Sequence, residues 1–84
     1  KLFQNYPNPF NPNTNISFQI LEPSEVKLLV YNSLGQLIKI LIDDELETGY
    51  YNYNFNANNL SSGVYFYQLI VGKNTLTRMM ILNK

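Results

Sequence analysis

Leu60-Ser61-Ser62-Gly63-Val64-Tyr65-Phe66-Tyr67 runs from a short polar turn through one glycine into alternating aromatics, the pattern of a chain turning a corner into a β-strand. In Greek-key sandwiches a tyrosine just past such a corner commonly returns its hydroxyl to the upstream backbone, so Tyr65 is a candidate tyrosine corner. Tyr65, Tyr67, Leu69 and Val71 share one parity and are expected to face a core, with Val64, Phe66, Gln68 and Ile70 on the other side.

Working outward, Gly72-Lys73-Asn74 is a compact turn and Thr75 to Leu82 a last strand, with Leu76, Met80 and Leu82 on the expected inner parity. Arg78 shares that parity, so it must reach the rim or sit at a bulge, because an unpaired buried guanidinium costs several kcal/mol. Upstream, Tyr51, Tyr53 and Phe55 alternate with Asn52, Asn54 and Asn56 as a half-buried strand requires. Ile16, Phe18 and Ile20 alternate in the same way from Thr14 on. Glu25 to Asn32 places Val26, Leu28 and Val30 on one face and Lys27, Leu29 and Tyr31 on the other. Its second face is also partly apolar, so this strand is expected to be central or covered.

Ser33-Leu34-Gly35-Gln36 is a tight connection with glycine where positive φ is most needed, leading into Leu37 to Ile42. Leu37, Ile38, Leu41 and Ile42 also approximate a helical stripe. The isoleucines and the flanking Gly35 and Gly49 favour a strand. Asp43 to Gly49 reads as an acidic loop. The first dozen residues interleave Pro7, Pro9 and Pro12 with asparagines, which denies the backbone ladder donors and predicts an extended lead-in over residues 1–13. Tyr6 and Phe10 within it are expected to pin it to the domain. The sum is an all-β, immunoglobulin-like or fibronectin III-like antiparallel β-sandwich of six strands over residues 14–84, to which the arm adds a possible seventh, in one domain spanning 1–84.

Composition agrees with one small core. A chain of 84 residues buries only about 60 to 65% of its unfolded surface, and 45% hydrophobic content is that of a folded protein. Six basic and six acidic residues cancel, leaving no electrostatic footprint for nucleic acid or anionic lipid. No apolar run reaches the roughly 20 residues needed to span a bilayer, and Lys1 to Asn5 lacks a signal-peptide core, so any leader is expected on a missing upstream part.

Without histidine or cysteine, the commonest general base, metal ligand and nucleophile are missing. The only carboxylate cluster, Asp43, Asp44, Glu45 and Glu47, reads as a solvated loop in preference to an acid/base pair or a calcium site, since it lacks EF-hand spacing. Neither an enzyme nor a cofactor is expected. An exposed tyrosine at Tyr50 leaves a carbohydrate-binding or spacer module as the alternative function.

Three motifs in order carry a family resemblance. They are Asn5-Tyr6-Pro7-Asn8-Pro9-Phe10-Asn11-Pro12-Asn13-Thr14, Val30-Tyr31-Asn32-Ser33-Leu34-Gly35-Gln36 and Ser62-Gly63-Val64-Tyr65-Phe66-Tyr67, closing on an apolar strand and Lys84. The chain resembles the type A C-terminal sorting domain of the type IX secretion system, a group similar to the immunoglobulin-like domain of flagellar hook-capping proteins. The resemblance implies a noncatalytic address label on an upstream cargo protein in Bacteroidetes and related bacteria. Such a label is exported to the periplasm, read by the outer-membrane machinery and often removed by a sortase-like protease at the cell surface. By position, Pro9, Phe10, Gly35, Gly63 and Tyr65 are its structural motif, and Arg78, Met79, Met80, Ile81, Leu82, Asn83 and Lys84 its candidate recognition strand. Met79 stands where relatives often place a lysine, and Asn83 interrupts the usual apolar run. Recognition is therefore not expected to rest on basic residues within that strand, and strand addition at an exposed edge is an attractive mode.

Overall fold

Each alternating stretch forms a strand in the computed structural model, which describes residues 1–84. In chain order they are β1 (Asn13–Ile20), β2 (Ser24–Asn32), β3 (Leu37–Leu46), β4 (Gly49–Asn56), β5 (Gly63–Val71) and β6 (Asn74–Leu82), with no helix. All pairings between strands are antiparallel. One sheet is β1-β4 and the other β3-β2-β5-β6, giving the two-layer sandwich that the alternation predicts.

The inward parities meet as expected. Ile16, Phe18 and Ile20 of β1, Val26, Leu28 and Val30 of β2, Tyr65, Tyr67 and Leu69 of β5, and Met80 and Leu82 of β6 are all buried. β2 is central, between β3 and β5. Its outward-facing Leu29 is shielded by cross-strand neighbours Ile40 and Gln68. The β2–β3 hairpin turns on Gly35, whose φ of +81° is the left-handed conformation that other residues resist. Asn32 braces that turn, its side-chain oxygen accepting the Leu34 and Gln36 amides, both at 3.0 Å.

Four expectations are corrected. The acidic stretch is not a loop: β3 runs through Asp43, Asp44 and Glu45 to Leu46, leaving Glu47 and Thr48 as the link to β4. Pairing of Glu25 with Glu45 and Lys27 with Asp43 carries the ladder past the apolar run, so backbone pairing overrides composition. Leu76 has the inner parity yet is 41% exposed. It lines an open recess of about 460 Å³, with Lys1, Ile20, Leu21 and Lys73, where the smaller sheet does not cover the start of β6. Tyr6 does not pin the arm and is 80% exposed; Leu2, Asn5 and Phe10 are buried instead. The arm forms no seventh strand. It makes isolated bridges from Leu2 to Phe18, Tyr6 to Asn15 and Phe10 to Leu82, because its prolines lack the donors for a continuous ladder.

Candidate recognition surface

The arm is the element that frames the final strand. Phe10 donates its amide to the Ile81 carbonyl at 3.0 Å and accepts from the Asn83 amide at 2.9 Å. The Asn8 side-chain oxygen accepts from the Ile81 amide at 2.9 Å, and the Gln4 side-chain amide donates to the Met79 carbonyl at 2.8 Å. Side-chain groups thus supply pairing where the proline-rich backbone has none to give. Pro9, exposed between Asn8 and Phe10, lies in the bend that turns Phe10 inward against Phe55, with ring centroids 6.3 Å apart.

Arg78 takes the rim route. The β5–β6 register runs unbroken from Gly63–Leu82 to Val71–Asn74, so no bulge forms, and the guanidinium Nε donates to the Leu2 carbonyl at 2.8 Å. Along the same strand Met80 and Leu82 are buried, Ile81 is half-buried, and Arg78, Met79, Asn83 and Lys84 present their side chains to solvent. Lys84 is held at the corner, its amide bonding the Ser62 hydroxyl and its ammonium the Asn58 carbonyl.

At that corner the Tyr65 hydroxyl donates to the Ser61 carbonyl at 2.6 Å, four residues upstream. Gly63 opens the strand with φ +154°, and no neighbouring atom lies within 4 Å of where a Cβ would stand, so conformation and not space selects glycine. Tyr65→Phe is expected to cost about 0.5 to 1.5 kcal/mol in denaturant unfolding, because Ser61 is exposed and water replaces the lost partner. A loss above about 3 kcal/mol would show that the hydroxyl does more than close the corner.

The side chain that sequence reading missed is Tyr67. It was legible as core, being fully buried, but its hydroxyl is a hub. It accepts the Asn5 amide at 2.7 Å and donates to the Phe3 carbonyl at 2.7 Å. Asn5, itself buried, donates to Pro7 O at 3.2 Å and to the Thr14 hydroxyl at 3.0 Å, and that hydroxyl donates to Pro7 O at 2.8 Å. No buried side-chain polar atom is left without a partner. The available signal was a run of polar residues among prolines, whose carbonyls need donors from elsewhere. Burial pushes the Tyr67 hydroxyl above its ordinary titration range; the Asn5 amide and the Arg78 charge pull the other way.

No three carboxylates converge as metal ligands. The strand spreads Asp43, Asp44 and Glu45 onto alternate faces.

The fold and this seam define a small β-sandwich module whose first and last segments are tied together by hydrogen bonds. A family model described as a secretion system C-terminal sorting domain matches residues 4–83, and the chain belongs to that family. It is a sorting signal carried by cargo of the type IX secretion system. Searches of curated proteins and of solved structures found no match.

Proposed function

We propose that residues 1–84 act as one noncatalytic unit, read by the outer-membrane machinery of the type IX system while attached to an upstream cargo domain. A sortase-like protease removes the unit upstream of the described residues as the cargo reaches the cell surface or the medium. The kinship with flagellar hook-capping domains belongs to the same reading and rests on the sequence motifs. The surface proposed for recognition is the strand Arg78 to Lys84.

The observation that carries this choice is the fixed frame of that strand, held by β5 on one side and by the arm on the other. With Met79 O, Ile81 N and O, and Asn83 N already occupied by the arm, strand addition there would require displacing it. Reading through the exposed side chains of Arg78, Met79, Asn83 and Lys84 does not.

Deleting Met79 to Lys84 from a reporter fusion is expected to abolish surface delivery in a type IX-competent host. Since the deletion also removes buried Met80 and Leu82, the paired variant Met79→Glu with Asn83→Glu, at two exposed positions, separates recognition from folding. It should keep its thermal midpoint within about 4 °C and still lose delivery. Normal delivery of both would overturn the assignment of this strand.

A further inference from the structure

Four edges bound the two sheets, and three are guarded. On β1, the odd-numbered residues turn their backbone groups to the arm. Asn15 exchanges bonds with Tyr6 at 2.9 and 3.0 Å, Ser17 O accepts from Phe3 N at 3.0 Å, and Gln19 N donates to Lys1 O at 2.8 Å. From Met79 to Asn83 the free side of β6 is taken by Gln4, Asn8 and Phe10. β3 carries two register shifts, opposite Leu28/Leu29 and Val30/Tyr31, and three consecutive acids. Bulges and charges are the usual means by which proteins blunt an edge.

β4 has none of these devices. Its register with β1 is continuous from Asn13–Asn56 to Ile20–Gly49, and Gly49 to Asn56 contains no charge and no proline. Backbone groups alternate sides along an antiparallel strand. Since the odd residues of β1 face the arm, its even residues Thr14, Ile16, Phe18 and Ile20 face β4, opposite Phe55, Tyr53, Tyr51 and Gly49. The amides and carbonyls of Tyr50, Asn52, Asn54 and Asn56 therefore point away from β1, into the open. On the inward side Tyr51 and Tyr53 are only half-buried. So are Ile38, Ile42 and Leu46 of β3, the strand to which β4 is joined by two residues, while the matching parities of β2 and β5 are covered.

The end of this edge is electronegative. Glu47 lies in the two-residue link to Gly49 and Asp44 has the inward parity of its partner Val26, whereas Asp43 and Glu45, opposite Lys27 and Glu25, lie on the outer face of β3. An antiparallel guest on β4 would bring its C-terminal end to Gly49 and hence to the side of β3 that carries Glu47 and Asp44. A second copy of β4 carries no basic residue to place there.

We propose that the free edge of β4 accepts an extended segment of another polypeptide by strand addition. The guest runs antiparallel, with apolar residues at alternate positions beside Tyr51 and Tyr53 and basic residues at its C-terminal end. This surface is separate from the strand Arg78 to Lys84 and does not depend on how that strand is read.

The probe is an acetylated peptide that alternates valine and threonine and ends in two lysines. It is titrated into the intact domain, and amide hydrogen exchange is followed by NMR. Exchange should slow by about tenfold or more at Tyr50, Asn52, Asn54 and Asn56, and stay unchanged at Met79 to Asn83. Moving the lysines to the N-terminal end of the peptide, or adding salt, should weaken the effect. Asn52→Pro removes an outward amide without touching the β1 ladder and should abolish protection in a folded domain. Asp44→Asn with Glu47→Gln should remove most of the gain that the lysines give the peptide, which keeps the test decisive if the proline variant fails to fold. Protection at β6, no protection anywhere, or self-association through β4 that excludes the peptide would each overturn the proposal.

Discussion

Tyr67→Phe is expected to destabilise the domain by about 2 to 4 kcal/mol, several times the effect of the same change at Tyr65, because it strands two backbone groups in the interior. The Asn5 amide and the Phe3 carbonyl meet at this one hydroxyl, and Asn5 is buried, so water cannot replace the lost oxygen without opening the arm. Chemical denaturation should show a lower midpoint with an unchanged slope. Equal losses at Tyr65 and Tyr67 would mean that the arm seam is already solvated.

The same hydroxyl gives a pH signature. Its folded titration point is raised above the ordinary 10.0, so the unfolded chain ionises first. The associated stability is fully present below pH 10 and is lost as pH rises from there through the folded value. The gap in stability between the parent and Tyr67→Phe should therefore narrow on the alkaline side and stay flat between pH 6 and 9, as about two to three measurements per unit would reveal. A gap that widens above pH 10 would contradict the burial of this group.

Removing residues 1–12 is the other large change expected. It withdraws Leu2 and Phe10 from the core, each worth about 1.5 to 3 kcal/mol by burial alone, and it frees the outer edges of both β1 and β6. Against a total of about 5 to 15 kcal/mol for a small domain, the truncated chain should lose its cooperative transition and expose apolar surface to a dye. Phe10→Ala alone should cost about 3 to 5 kcal/mol. Adding the arm back as a separate peptide should restore the transition in part. A truncated domain that unfolds cooperatively near the parental midpoint would show that the arm is an ornament.

The strands and the facing of their residues were legible because period-two alternation is a local property. Val26, Leu28, Val30, Tyr65, Tyr67 and Leu69 announce their buried side within a few residues. What the alternation does not carry is partnership across the fold. The acidic end of β3 looks like a loop until β2 is beside it to pair with Asp44 and Glu45. Leu76 looks buried until the reach of the opposite sheet is known. Tyr6 and Phe10 are equivalent in a proline-rich string, and only the position of β6 decides that Phe10 turns in. The last strand was placed correctly along the chain. The occupation of its edge by residues more than seventy positions away was not readable, because it depends on side-chain amides reaching across from the other end of the sequence.

Those long-range bonds bear directly on function. The first and last segments lock each other through Gln4, Asn8 and Phe10. On the proposed reading, cleavage upstream and recognition at the final strand would act on one structural unit.

The most direct measurement is delivery of a passive reporter. Residues 1–84, fused behind a reporter that carries an inner-membrane export signal, should bring it to the surface or medium of a type IX-competent host and leave it in the periplasm of a strain lacking the outer-membrane channel. Retention of the reporter in the periplasm of the competent host, with the domain folded and intact, would contradict the account.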